Sequence, residues 1–205
     1  DVVLGRLHWL GHAAFRIDGG PVIYIDPYQI EDGETADVIL ITHDHSDHCS
    51  PADVAKVRGP DTVVVAAGAC AQRLGGDVRT VAPGDSLSLA GIQIEVVPAY
   101  NIGKNYHPQG AGYVGYVLTL DGARVYHAGD TDHIPEMKET HVDIALLPVG
   151  GTYTMDAVEA AEAARDLGAQ VAIPMHYGTV VGSAADAQRF EQLCSVRTMI
   201  MGLEP

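Results

Sequence analysis

At 205 residues, 47% of them apolar, the chain has enough interior for one large domain or for two structural repeats around a shared core. Lys and Arg number 12 against 27 Asp and Glu, and the formal net charge of −15 argues against a nucleic-acid partner held through its phosphates. Three widely spaced cysteines, Cys49, Cys70 and Cys194, speak against a disulfide framework and for a reducing, cytoplasmic setting.

The sequence shows no basic-then-apolar leader, and no apolar run approaches the length of a membrane span, so no membrane partner is expected. Residues 4–9, 14–18 and 22–25 read as three short strands, broken by Gly11 and by the turn cluster Asp18-Gly19-Gly20-Pro21. Gly11-His12-Ala13 occupies the first break, and Asp26-Pro27-Tyr28 places Asp26 at the end of the third strand. The apolar run Val38-Ile39-Leu40-Ile41-Thr42 then delivers His43-Asp44-His45-Ser46-Asp47-His48. Three imidazoles and two carboxylates within six residues are the usual ligands of zinc and its first-row neighbours. A sharp turn after Thr42 would point His43 and His45 one way and Asp47 and His48 another, so that one loop feeds two adjacent cations. A polar loop with scattered histidines is a poor account of such density.

Ser50 as cap and Pro51 at the first helical position start a helix that runs to about residue 58, where Gly59-Pro60 stops it. Residues 62–66 form a buried strand, and residues 69–74 a short helix ended by Gly75-Gly76. The middle is strand-rich. Residues 86–89 and 92–98 flank the turn Ala90-Gly91, and residues 113–120 and 123–127 flank Asp121-Gly122. The polar loop 100–110 between the hairpins carries Lys104 and His107 at a strand end, a common place for substrate contacts. Tyr126-His127-Ala128-Gly129-Asp130-Thr131 ends the second hairpin. A strand over residues 143–148 leads to Gly150-Gly151, which is either a set of backbone donors for an anionic substrate or a turn capped by Thr154 or Asp156. A helix over 156–167 stops at Gly168, a strand over 170–174 places His176 just beyond it, and 184–193 form the last helix.

The string from His43 to His48 resembles the His-x-His-x-Asp-His signature of the metallo-β-lactamase-fold hydrolases, and Gly129-Asp130-Thr131 and His176 match further elements of that family. The sequence looks closest to the small branch that includes the L-ascorbate-6-phosphate lactonase-like proteins. More distantly it is similar to the N-acyl phosphatidylethanolamine phospholipase D enzymes. The resemblance implies an α/β fold, a four-layer αββα sandwich, over a single domain of residues 1–205. It implies two divalent metal ions, zinc first, with manganese, iron or nickel compatible. The ligands it implies are His43, His45, Asp47, His48, Asp130 and His176, and His107 is taken as the remaining imidazole. Asp130 would bridge the ions, Asp47, His48 and His176 would serve the second, and Asp47 and Asp130 are the carboxylates assigned to catalysis. His12, Asp26, Asp44 and His127 are expected around the ligands, orienting them.

The third imidazole of the first ion is where the sequence departs from the resemblance. Much of that branch carries His directly after a Pro-Ala-aromatic string, whereas this chain reads Pro98-Ala99-Tyr100-Asn101. His107 is the nearest replacement, His127 its rival and His133 a more remote option. The activity implied is hydrolysis of a small ester, lactone or phosphodiester by a metal-bridging hydroxide, acting on a small-molecule substrate. No nucleic-acid partner is expected, and homo-oligomerisation is left open. The alternative from another class is a di-iron redox or metal-binding protein on the same scaffold, which would show an extra acidic ligand in place of one His.

Overall fold

The computed structural model of the chain describes residues 2–204. Its first half runs β1 (Leu7–Gly11), β2 (Ala14–Ile17), β3 (Ile23–Ile25), β4 (Ala36–Ile41), α1 (Pro51–Val57), β5 (Arg58–Ala67), α2 (Gly68–Leu74) and β6 (Val78–Val81). The second half runs β7 (Ser86–Leu89), β8 (Ile92–Pro98), β9 (Val114–Leu120), β10 (Ala123–His127), β11 (Ile144–Pro148), α3 (Ala157–Asp166), β12 (Val171–Met175), α4 (Ala184–Leu193) and β13 (Arg197–Thr198). The strands form two sheets, one in the order β1-β2-β3-β4-β5-β6 and one in the order β13-β12-β11-β10-β9-β8-β7.

Each sheet is antiparallel where hairpins join its strands and parallel where helices cross over. In the first, β1 to β3 alternate in direction and β3 to β6 run parallel. In the second, β7 to β10 alternate and β10 to β13 run parallel. Parallel strands covered on both faces need continuous apolar runs, and every residue of β11 and β12 is buried. Helix α2 packs on β5 and β6, α3 on β11 and α4 on β12, while one apolar cluster joins Phe15, Ile39 and Leu40 of the first sheet to Tyr116, Leu118 and Leu146 of the second. The result is the two-sheet sandwich with outer helices implied by the resemblance.

Local chemistry explains most boundaries. The Ser50 hydroxyl accepts the Asp53 N–H, and Pro51 occupies the first turn of α1. In both hairpin turns the two central residues have positive φ, 48° and 82° at Ala90-Gly91 and 49° and 84° at Asp121-Gly122, as a type I′ turn requires. Asp156 caps α3 in a reciprocal box with Glu159.

Four elements differ from expectation. Residues 4–6 form a 3-10 turn, and the first strand starts only at Leu7. The strand expected at residue 62 starts at Arg58, so Gly59 and Pro60 lie within β5. Pro60 is tolerated because the register with β4 jumps between Ala36 and Val38, so no ladder bond is asked of its missing N–H. Strands β6 and β13 were not anticipated; one is four residues of mixed polarity and the other is two residues long.

The sheets are stitched together at one end. Val114 N–H donates to the Thr42 carbonyl (3.1 Å), the Tyr116 hydroxyl to the Ile41 carbonyl (2.8 Å), and His176 N–H to the His12 carbonyl (2.8 Å). No helix among the described residues is long and apolar enough to cross a membrane.

Candidate metal centre

The loop that leaves β4 is held from below by Asp26. One Asp26 oxygen accepts Thr42 N–H (2.8 Å), and the other accepts the Thr42 hydroxyl (2.6 Å) and meets His48 Nδ1 at 2.7 Å. Thr42 Oγ1 in turn lies 2.9 Å from His43 Nδ1. A donating Nδ1–H leaves Nε2 of His48 with a free lone pair, the tautomer a metal needs. Asp26 is fully buried and has a left-handed backbone (φ 46°). His12 (φ 50°) and His176 (φ 58°) share that conformation, which side chains other than Gly adopt at a cost of about 1 kcal/mol.

His107 enters from the loop after β8, and Asn101 holds it. The Asn101 side-chain oxygen accepts His107 N–H (2.9 Å) and lies 3.2 Å from His107 Nδ1, which is also 3.2 Å from the Tyr153 carbonyl. Asn101 Nδ2 donates to Asp132 (3.0 Å) and to the Tyr153 carbonyl (2.9 Å). Asn101 is thus the orienting group for a His six residues later. His127 is placed otherwise. Its Nε2 lies 2.8 Å from the Ala13 carbonyl, and its Nδ1 accepts Gly129 N–H (3.2 Å). With both nitrogens engaged, His127 is a clamp between the sheets and is in neither donor set. His133 points to Asp166 on α3 (3.0 Å), away from the cluster.

Two sets of donors meet at the strand ends. Atoms of His43, His45, His107 and Asp130 all lie within 4.8 Å of one another, as do those of His12, Asp47, His48 and His176. Asp130 reaches both sets: its Oδ2 is 3.2 Å from His107 Nε2 and 3.0 Å from His176 Nε2, and its Oδ1 is 3.3 Å from His48 Nε2. Ligands held about 2.0–2.2 Å from one tetrahedral metal stand about 3.3–3.6 Å apart, so these spacings suit a shared cation. Nε2 of His43, His48, His107 and His176 and Oδ1 of Asp130 are buried without a hydrogen-bond partner. Five facing orphans are costly unless a cation sits among them, and the donor chemistry fits one.

Electrostatics point the same way. Burial and the neighbouring His48 hold His43 well below the usual imidazole range, and burial lowers His45 and His12. Burial opposes a charge on His48 too, but the carboxylates of Asp130 and Asp26 outweigh it and raise that imidazole well above its ordinary value. Burial also works against ionised Asp47, yet the His12 hydrogen bond and His48 bring it down to about 2. Asp130 is held far below the carboxylate range by His176 and His48, against its burial. Carboxylates that stay ionised beside His43, His45 and His12, whose charged forms burial disfavours, suit a centre of positive charge.

The other expected residues fall around this cluster. His12 Nε2 lies 2.9 Å from Asp47 Oδ2 and fixes it. Asp44 lies outside both sets and faces Tyr113, whose phenol is pushed up to about 12 by burial and by the Asp44 carboxylate. Cys49 is a buried thiol beside Cys70, outside the donor sets. Lys104 Nζ donates to Asp132 (2.6 Å) and to the Thr154 carbonyl (3.0 Å). The Gly150-Gly151 turn is built into the packing beside His176. Gly151 N–H donates to the Met155 carbonyl (3.0 Å), and a Cβ on Gly150 would stand 2.5 Å from the His176 carbonyl, so this glycine serves close packing. A cavity of about 160 Å³ opens above the donors, lined by His45, Asp47, Tyr106, His107, Asp130, Tyr153 and Val180. Thr42, Asn101, Tyr106, Tyr153 and Val180 were not singled out from sequence; only the Asn at 101, standing where a His was expected, gave a signal.

Residues 6–176 match the family described as the beta-lactamase superfamily domain. A UPF0173 metal-dependent hydrolase of Methanoregula boonei is 37% identical over 198 residues, 91% of this chain and 88% of the relative. Among solved structures, a protein of Parabacteroides distasonis named as a metal-dependent hydrolase superposes with a TM-score of 0.88 at 34% identity, over 97% of this chain and 93% of that one. A diiron β-hydroxylase of Streptomyces venezuelae has a TM-score of 0.77 at 16% identity, with 96% of this chain and 52% of that chain covered, a likeness of fold alone. Motif loop, paired sheets and sequence matches agree, and the chain belongs to the metallo-β-lactamase superfamily.

Proposed function

We propose that this chain is a metal-dependent hydrolase of a small-molecule ester, lactone or phosphodiester, with two divalent ions, zinc first among them. The observation that carries this reading is the set of buried, unsatisfied imidazole nitrogens facing one another around Asp130. His43, His45 and His107 would hold one ion, Asp47, His48 and His176 the other, and Asp130 both. Bound there, such ions supply Lewis acidity and a water acidic enough to attack at neutral pH.

The chain's own residues prepare the site. Asp26 and Thr42 fix His48 and His43 from behind, and Asn101 with the Tyr153 carbonyl fixes His107. Asp47 stays ionised at neutral pH, and His12 holds its Oδ2 in place. The name carried by the Methanoregula boonei relative supports hydrolysis. So does the imidazole-rich donor set, since the redox alternative calls for a carboxylate in place of one His.

The test is metal content per chain by elemental analysis of protein purified without chelator, with a panel of esters, lactones and phosphodiesters assayed alongside. Expected are about two metals per chain and turnover that disappears in Asp130→Asn. Metal-free protein, or turnover unchanged in Asp130→Asn, would overturn the reading.

A further inference from the structure

The cavity above the donors has walls of a particular chemistry. Its floor is His45, Asp47, His107 and Asp130, and its walls are Tyr106, Tyr153 and Val180. The two tyrosine rings meet edge to face with centroids 4.7 Å apart, and Tyr106 and Val180 are about half exposed (49% and 47%). This wall is tied to the site, since Tyr106 precedes His107 and the Tyr153 carbonyl receives Asn101 Nδ2. At about 160 Å³ the space is below the 300–1,000 Å³ of drug-sized ligand pockets. It is close to the ~150 Å³ cavity that accepts one benzene ring.

Apart from His45, Asp47, His107 and Asp130, which would face the ions, the lining is Tyr106, Tyr153 and Val180, with neither Lys nor Arg. The nearby cations are occupied. Lys104 is bound to Asp132 and the Thr154 carbonyl, and Arg73 donates to the Asp44 carbonyl without lining the cavity. In the glycine-rich turn, Gly151 N–H donates to the Met155 carbonyl and Thr152 N–H to the Gly150 carbonyl, and neither glycine lines the cavity. A guanidinium fork and an ammonium group are therefore absent from the cavity lining, which leaves the proposed ions as the main hold on a phosphate.

We infer that the site takes a small neutral ester or lactone bearing one apolar, ring-sized group against Tyr106, Tyr153 and Val180, and discriminates against phosphodiesters. The inference rests on the hydrolase reading and narrows it. In the reaction the water oxygen joins the acyl carbon and the acyl C–O bond breaks. One water proton goes to the leaving alkoxide, and the acid product loses the other at neutral pH.

The test pairs kinetics with binding on the metal-loaded chain. p-Nitrophenyl acetate, butyrate and benzoate are compared with bis(p-nitrophenyl) phosphate in the parent and in Tyr106→Ala, Tyr153→Ala and Tyr106→Phe. The parent is expected to favour benzoate over acetate by roughly tenfold in kcat/KM, and both over the diester. The alanine variants lose that preference through KM, and Tyr106→Phe keeps it. Benzyl alcohol, followed through the tyrosine ring resonances, is expected to bind the parent and Tyr106→Phe and to weaken about tenfold in the alanine variants. Diester turnover equal to or above that of the esters, or acyl preference and benzyl alcohol binding unchanged in the alanine variants, would overturn the inference. Benzyl alcohol binding that depends on the tyrosines, with no ester or diester cleaved, would sink the hydrolase reading and leave the ring-sized pocket standing.

Discussion

His107 and His127 are both fully buried, and they separate by what their nitrogens do. Nε2 of His107 is unsatisfied and faces Asp130, whereas His127 spends both nitrogens on backbone groups. His107→Ala is expected to lower metal content per chain by about one with little loss of fold. His127→Ala is expected to keep the metal and to lose about 2–4 kcal/mol of stability, read as the urea midpoint, because it empties a buried site and orphans the Ala13 carbonyl. The opposite pattern would exchange their roles. Asn101→Ala tests the orienting group: metal affinity should fall 10- to 100-fold in a chelator competition while the far-UV spectrum is unchanged. The His-rich loop was legible because ligand type and spacing are written in the chain, whereas Asp130 stood out only through the resemblance. The pairing of Asn101 with His107 was not, since it depends on where Asp132 and the Tyr153 carbonyl arrive from distant segments.

Elements were legible where the local signal and the tertiary need agree. Both type I′ hairpins, the Ser50-Pro51 start of α1 and the Asp156 box of α3 stand where turn and cap chemistry put them. Gly59-Pro60 does stand just past the end of α1, but a break in register with β4 lets the next strand run through the pair, ahead of its expected start. Asp53 shows how α1 is fastened. It receives the Ser50 hydroxyl (2.6 Å), Lys56 Nζ (2.9 Å) and Gln29 N–H (3.0 Å), and these outweigh its burial and hold its carboxyl below the usual range. A depressed folded-state value means stabilisation present above the unfolded pKa and lost as pH falls through the folded one. Asp53→Asn should therefore cost about 1–3 kcal/mol at pH 7 and progressively less at pH values below about 3.9, seen as converging denaturation midpoints. Parallel curves at all pH values would count against this account. Gly115 in β9 is a second pressure point, since a Cβ there would lie 2.8 Å from the His127 carbonyl and 2.9 Å from that of Ala128. These are backbone atoms with little room to yield. Gly115→Ala is expected to cost about 1–3 kcal/mol and to loosen metal binding by displacing the segment that carries Asp130, both measurable on one purified variant.

Across the whole molecule, the donors come from positions 12 to 176 and from the ends of both sheets. A cation there would cross-link strand ends that lie far apart in the chain and share no disulfide, so its free energy of binding would add to that of folding. With free metal a thousandfold above its dissociation constant, the gain is about 4 kcal/mol, roughly 10 °C in Tm for a chain of this size. Calorimetry with and without chelator checks it, and coincident transitions would show that no cation binds. The two-sheet plan was legible only through the resemblance. Strand lengths and turns cannot say which strand faces which; the pairing of Thr42 with Val114 and of His12 with His176 is a property of the assembled sandwich.

The left-handed backbone at His12, Asp26 and His176 bears on how such a chain drifts. Glycine at each of the three would relieve strain at once, by a total of about 3 kcal/mol. The exchange would cost more than it relieves: glycine at 26 strips Thr42 and His48 of buried partners and leaves a cavity, and glycine at 12 or 176 removes an imidazole that faces Asp47 or Asp130. What these side chains touch therefore holds three left-handed turns in place at one cluster, against the preference of their own backbone.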